Sequence, residues 1–350
     1  MDLYIINTKF ELVGVIDSYT SLIWTERYND CGDFEIMISA NDKNIDILQN
    51  GYYIKRTDTD RVGIVETKTT QTNEETGDYI IVSGRMLESI LDRRIVWQQT
   101  TLNGSINESV HRLLIENAIS PSIKARTIPN LTFITQEEFE GKVEMQVTGD
   151  SLLTVILDIC KMFGLGFKVI LSTTNIITAC LYKGADRSYQ QNENSYVEFS
   201  PDFDNLISSN FMTSSQNHRN VALVAGEGEG LDRKTIPVGV AEGMERYELY
   251  VDARDVSSNE GEITEQEYLT LLRERGKEKL LEYLTETYFE ADIEPRFMFQ
   301  YRKDYMLGDI IILKNEYGIM AYPRIVEVIE SEDETGYKVV PTFESEEGKF

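Results

Sequence analysis

From Leu3 to Ile95 the apolar and polar positions alternate in short runs: LYII, ELVGVI, SLIWTERY, FEIMIS, YYIKRT, VGIVETKT and YIIVSG. A period of two is the signature of strands with one buried face, and turn residues punctuate it. Asn29-Asp30-Cys31-Gly32-Asp33 and Thr76-Gly77-Asp78 are such breaks. The block therefore predicts a β-meander or barrel. A short amphipathic stretch follows, Met86, Leu87, Ile90 and Leu91, ending at Arg93-Arg94.

Between about Thr100 and Glu198 the period switches. Ser105 with Glu108 three residues on predicts a capping box, and Val110, Leu113 and Leu114 supply one apolar face. A second helix is expected from about Ser151 to Phe163, apolar on nearly every side and closed by Gly164. FKVIL and IITACLY then flank Ser172-Thr173-Thr174-Asn175 as a β-hairpin.

Strands return from Tyr196 to Val240. A long helix begins near Thr264, whose spacing to Glu267 again fits a capping box. Leu269, Leu272, Gly276, Leu280 and Leu284 form its stripe; Arg273, Arg275, Lys277, Glu278 and Lys279 lie opposite as a solvated face or subunit contact. FMFQY, DIIILKN, YPRIVEVIES and YKVVPTF close the chain as strands. The fold class is thus α+β and β-rich. The order β, α+β, β, helix, β is most simply a second β-unit interrupted by a helical insertion.

At 350 residues the chain exceeds one ordinary domain. Sixty acidic against 34 basic residues leave a net charge of −26, which disfavours a sequence-independent grip on DNA. Cys31, Cys160 and Cys180 are too few and scattered for a disulfide framework or zinc site, so a reducing assembly compartment is expected. No run approaches the length of a membrane span, and the N-terminus has no basic region leading an apolar core.

Gly226, Gly228 and Gly230 suggest a nucleotide-binding loop. Leu231 and Arg233 occupy the positions where the third glycine should stand, however, and Glu227 and Glu229 put negative charge where a pyrophosphate would sit. The glycines read better as a sharp turn at a strand end. His111 and His218 have no nucleophile elbow to serve. Asp58-Thr59-Asp60 and Asp202-Phe203-Asp204 resemble metal pairs, but acid-x-acid triplets arise by chance roughly ten times at this acid content. Catalytic, cofactor-binding and metal residues are accordingly none, and no cofactor is expected. Arg85, Arg93 and Arg94 form either a phosphate patch or, in so acidic a chain, a salt-bridged surface. Trp24 and Trp97, with apolar neighbours, are expected in the core or at a domain junction.

Five groups of residues resemble a known family: SLIWTERYNDCGDFEI; VGIVETKTT leading to IIVSGRMLESILDRRIV; YKGADRS; NLISSNFMTSSQNHRNVALVAGEGEG; and LGDIIILKN with YPRIVEVIE and KVVPTF. In this order they resemble the tail-hub family of siphophages, related to the baseplate hub of contractile tails and to the N-terminal part of tail-associated lysins. The resemblance implies a homotrimeric ring in which each chain gives two related tube-like β-barrels, presenting a pseudo-sixfold face to a hexameric tail tube. Barrel one would be 1–98 and barrel two 196–240 with 293–343. A peripheral α+β domain would occupy 99–195 and a helical insertion 241–292. It also implies contact with the tail tube protein, the distal tail protein and a spike, fibre or tape-measure protein. DNA would cross the lumen without specific binding. The protein would sit at the tail tip of a virion assembled in the host bacterial cytoplasm, with no membrane insertion. The run ends at Phe350 behind Glu344, Glu346 and Glu347, so no lysin, peptidase or fibre domain is expected to be attached. A receptor- or glycan-binding tail component and, less favoured, a wall hydrolase using a carboxylate pair stay open from composition alone.

Overall fold

The computed structural model describes all residues except 74–76, 136, 259–262, 295–297 and 345–350. Thr76, Phe297, Glu346, Glu347 and Phe350, named above, lie outside the described residues. The first block folds as β1 (Leu3–Ile6), β2 (Leu12–Ile16), β3 (Ser21–Arg27), β4 (Asp33–Ser39), α1 (Asp42–Ile47), β5 (Tyr53–Arg56), β6 (Val62–Ile64), β7 (Thr67–Asn73) and β8 (Gly77–Arg85). A 3-10 turn over 87–93 leads to β9 (Thr100–Ser105), α2 (Ile106–Leu114), β10 (Leu131–Thr135), β11 (Lys142–Val147), α3 (Leu152–Phe163), β12 (Gly166–Leu171) and β13 (Ile177–Tyr182). There follow β14 (Glu198–Phe199), β15 (Leu206–Ser214), β16 (Val221–Ala225), β17 (Thr235–Val238), β18 (Glu248–Asp252) and α4 (Glu265–Leu281). The chain then adds β19 (Glu286–Ile293), β20 (Ile312–Lys314), β21 (Met320–Ala321), β22 (Arg324–Asp333) and β23 (Gly336–Glu344).

The local chemistry explains most of these boundaries. Ser105 and Thr264 each accept from the N–H of the glutamate three residues on, which returns the bond to the cap, so α2 and α4 both start on a full capping box. Gly164 ends α3 with φ +62, a left-handed turn that a side chain would strain. The hairpin β12–β13 forms around the expected turn, and β10 adds parallel to β13.

One eight-stranded antiparallel sheet runs through the molecule in the order β15-β19-β23-β22-β3-β4-β8-β7. Its centre is the β3–β22 pair, in which Trp24 lies opposite Glu330 and Arg27 opposite Glu327. The spatial layout is alike on both sides of this pair, an inner hairpin and then an outer antiparallel pair, although β7 and β8 follow their inner hairpin in the chain whereas β15 and β19 precede theirs. Smaller sheets, β2-β1-β5-β6 and β14-β20-β21, accompany the two halves. Among the described residues none of the sheets closes on itself, so the expected barrels are two open sheet arrangements here. A Cβ at Gly84 would stand 1.8 Å from the Ile64 carbonyl oxygen, so only glycine lets β8 pass the β6–β7 link so closely.

The buried apolar side chains gather in four groups. One, with Trp24, Phe34 and Ile54, underlies the first block; another, with Phe199, Tyr305 and Phe343, underlies the C-terminal strands. A third fills 99–195 and takes in Leu87, Ile90 and Leu91 of the preceding turn and Val96 just after it. The fourth joins β16, β17 and β18 to Tyr268, Leu271, Leu272 and Leu280 of α4. Residues 221–238 thus pair with β18 beneath the helix, while β15 joins the long sheet. FMFQY was expected as a strand, but residues 298–300 have no strand structure and Met298 and Arg302 take positive φ. Just beyond, Tyr301 and Arg302 bind Glu26 and Glu330 of the β3–β22 pair.

Candidate functional site at the sheet seam

Strand parity marks where the two halves of the long sheet meet. Leu22, Trp24 and Glu26 of β3 point the same way, as do Val328 and Glu330 of β22 and Ile54 and Arg56 of β5. Three charged side chains therefore stand in core register. All are buried, with Arg56 at 0%, Glu330 at 2% and Glu26 at 5% exposure.

Burial of charge is tolerated only with partners, and each of these has several. Arg56 donates to both Glu330 oxygens at 3.2 and 3.0 Å and to Asp58 Oδ1 at 2.9 Å, while its guanidinium lies 5.3 Å from the Trp24 ring centre. Arg302 reaches in from the 298–305 loop, donating to Glu330 Oε1 at 2.9 Å and Glu26 Oε1 at 2.7 Å. Hydroxyls complete the set: Tyr301 and Thr59 donate to Glu26 at 3.0 and 2.7 Å, and Tyr337 to Glu330 at 2.5 Å. Burial opposes ionisation of Glu26, but the charges of Arg302 and Arg61 outweigh it and hold the carboxyl down to about 2.

The network continues into the α+β region. Arg61 pairs with fully buried Glu88 and donates to the Tyr182 hydroxyl at 3.1 Å, and Glu88 Oε1 also accepts from the Val169 N–H. Burial pushes the Glu88 carboxyl up in spite of Arg61. Tyr28 ties the same three parts. Its hydroxyl donates to the Gly164 carbonyl and accepts from the Gly184 N–H, and Arg324 covers its ring at 5.2 Å. A cleft of about 660 Å³ opens beside this network, lined by Asp60, Arg61, Lys168, Tyr182 and Arg302. Its charges are mutually compensated, Lys168 with Asp60 and Arg302 with Glu26. The arrangement binds β-strands from both ends of the chain to the intervening domain. Parity was the available signal for it: charged residues at inward positions of β3, β5 and β22.

Residues singled out from sequence fall elsewhere. Gly226, Gly228 and Gly230 form the turn between β16 and β17. Gly226 packs under Tyr268, whose hydroxyl accepts from the Glu227 N–H, and Gly228 and Gly230 take φ +94 and +57. His111 stacks on Phe133, and His218 lies against Tyr247. Asp58 and Asp60 serve Arg56 and Lys168, and Asp202 pairs with Lys314. Among the described residues no group of three or more His, Cys, Asp or Glu side chains is placed to hold a metal ion, and no helix is long and apolar enough to cross a membrane. Trp24 is fully buried, whereas Trp97, expected in the core or at a junction, is 53% exposed. Arg85 is salt-bridged to Glu66 and Asp92; among the described residues Arg93 and Arg94 have no salt bridge. On α4, Arg275 and Glu278 are mostly buried rather than solvated, with Arg275 binding Asp255 and the Gln146 carbonyl.

No curated protein sequence matches the chain. Its fold matches solved phage tail proteins at low identity. Against the tail protein from Neisseria meningitidis MC58, 98% of this chain and 96% of that one align at 13% identity with a TM-score of 0.57. The 43 kDa tail protein of prophage MuSo2 from Shewanella oneidensis aligns over 98% of both chains at 13% identity and 0.60. The prophage tail protein gp18 from Listeria monocytogenes aligns over 99% of this chain and 95% of its own at 12% and 0.56. Residues 2–343 match the Siphovirus ReqiPepy6 Gp37-like protein family throughout, so the chain belongs to that family of siphovirus tail proteins.

Proposed function

We propose that the protein is a structural hub at the tip of the tail, three copies forming a ring between a hexameric tube and the parts below it. The observation that carries this reading is the sheet order mirrored about β3–β22. Two halves of like spatial layout in one chain let three chains offer six similar faces to a sixfold tube. On this reading 1–98 and the strands within 196–214 and 286–343 are the related units, β19 joining the second through the long sheet, and 99–195 is the peripheral domain. Residues 221–238 go with the helical insertion because they share its core. The long sheet ends in β7 and β15, and these ends would meet those of neighbouring copies. The buried ion network suits a part that transmits force, since it locks both halves in one register. Tube, distal-tail and spike, fibre or tape-measure proteins are the partners this reading implies. A lumen walled by a chain of net charge −26 repels DNA and lets it pass without adsorbing. An end-on reconstruction of assembled tails tests the proposal: three copies per ring, with two like sheet units each, are expected, and six copies or a single copy would overturn it.

A further inference from the structure

The second notable charge cluster lies outside the seam, where the connector 93–97 meets the 3-10 turn Lys124–Arg126. Arg94 donates through Nε to the Arg126 carbonyl at 2.7 Å and through Nη1 to the Arg93 carbonyl at 2.9 Å. Arg126 donates through Nη2 to the Ile95 carbonyl at 2.6 Å and lies 4.9 Å from the Trp97 ring centre. Burial, and then the charge of Arg94, push the Arg126 guanidinium below its usual range. Nearby cations are matched, Arg85 with Glu66 and Asp92 and Arg112 with Glu116. Among the described residues Arg93, Arg94, Lys124 and Arg126 have no salt bridge. Beside them Ile95, Trp97 and Ile123 are exposed by 41, 53 and 43%.

In a chain with 60 acidic and 34 basic residues, a cluster of cations without carboxylates is the less expected outcome. Two of the guanidiniums are pinned by backbone carbonyls, so little side-chain freedom remains to be lost when a partner arrives. An exposed tryptophan flanked by arginines and aliphatic side chains is the composition of a protein interface centre. Exposed isoleucines argue against a phosphate polymer or a sugar as the occupant, and four nearby cations are too few for nucleic acid in so acidic a chain. The partner must be a protein surface bearing carboxylates, and this chain's own surface, at −26, is of that kind.

We infer that the Trp97–Arg126 patch docks onto a carboxylate-bearing surface of a second copy of the chain. This rests on the ring reading only in taking another copy as the neighbour. The test uses the full chain carrying a photo-crosslinker, Ile123→benzoylphenylalanine, which leaves Trp97 and both arginines in place. Copy-to-copy adducts are expected, with a yield that falls roughly tenfold in Arg94→Glu/Arg126→Glu, falls similarly in Trp97→Ser, and persists in Arg94→Lys/Arg126→Lys. Thermal unfolding of each variant confirms that the fold is intact. Unchanged yield in the charge-reversed and serine variants would overturn the inference, as would adducts to a different protein alone in assembled tails. An oligomeric chain without copy-to-copy adducts at this position would sink the patch and leave the ring standing; no self-association either in solution or in tails would sink both.

Discussion

Two arginine pairs in this molecule live under opposite conditions. Arg56 and Arg302 at the seam are enclosed and matched by Glu26, Asp58 and Glu330; Arg94 and Arg126 sit at the surface beside an exposed tryptophan, held by backbone carbonyls and, among the described residues, by no carboxylate. The difference is between charge used for cohesion and charge left for recognition. Inside, each charge must be answered within the chain because water cannot answer it. Outside, water does so until a partner arrives, and the charge stays available.

The sharpest way to break this comparison is to remove an internal partner. Glu330→Ala removes the carboxylate shared by Arg56 and Arg302, leaving buried Arg56 only the partly exposed Asp58, and is expected to destabilise the fold by about 3–5 kcal/mol, read by denaturant unfolding. A loss under about 1 kcal/mol would show that the seam is no more cohesive than a surface pair. Acid provides the next test. The Glu26 carboxyl, depressed from 4.5 to about 2 in the fold, contributes stability that is present above its unfolded value and lost as pH falls through the window from about 4.5 to 2. That loss is of order 3 kcal/mol, and in Glu26→Gln the slope of stability across this window should flatten.

Thr264→Ala sets an intermediate scale, because it removes one end of a capping box on an exposed helix start. About 1 kcal/mol is expected from thermal unfolding. Smallest is the effect of Trp97→Ala on stability, within about 0.5 kcal/mol, since the ring is exposed and the residue's N–H bond to Asn117 is a backbone one. A loss comparable to that of Glu330→Ala would mean that the patch is part of the core after all.

Local features were legible in the chain because they are encoded within a few residues. The capping boxes at Ser105 and Thr264, the glycine stop at Gly164 and the hairpin around Ser172–Asn175 need only neighbours in sequence. FMFQY fits the period of two through its apolar and aromatic residues, but its described residues 298–300 form no strand, and Tyr301 and the following Arg302 instead bind a distant target, Glu26 and Glu330. The strands within 221–238 pair with each other and with β18 rather than with the long sheet, a choice alternation cannot make, since it does not say which sheet a strand joins. Trp97 was expected inside from its apolar neighbours, yet only Val96 of that group is buried.

What the amino-acid order determines by itself is the β-rich class, the helix ends, the turns and the net acidity, all properties of short windows or of sums. Which strands become neighbours was decided only in three dimensions. The β3–β22 pair joins residues about three hundred positions apart, and the pairing of Arg56 with Glu330 spans 274. Alternation specifies which face of a strand is apolar but not which edge it meets, and a lone arginine or glutamate looks the same whether its partner is water or a buried carboxylate. That choice depends on closing a long loop and desolvating both groups together, which is a property of the whole fold.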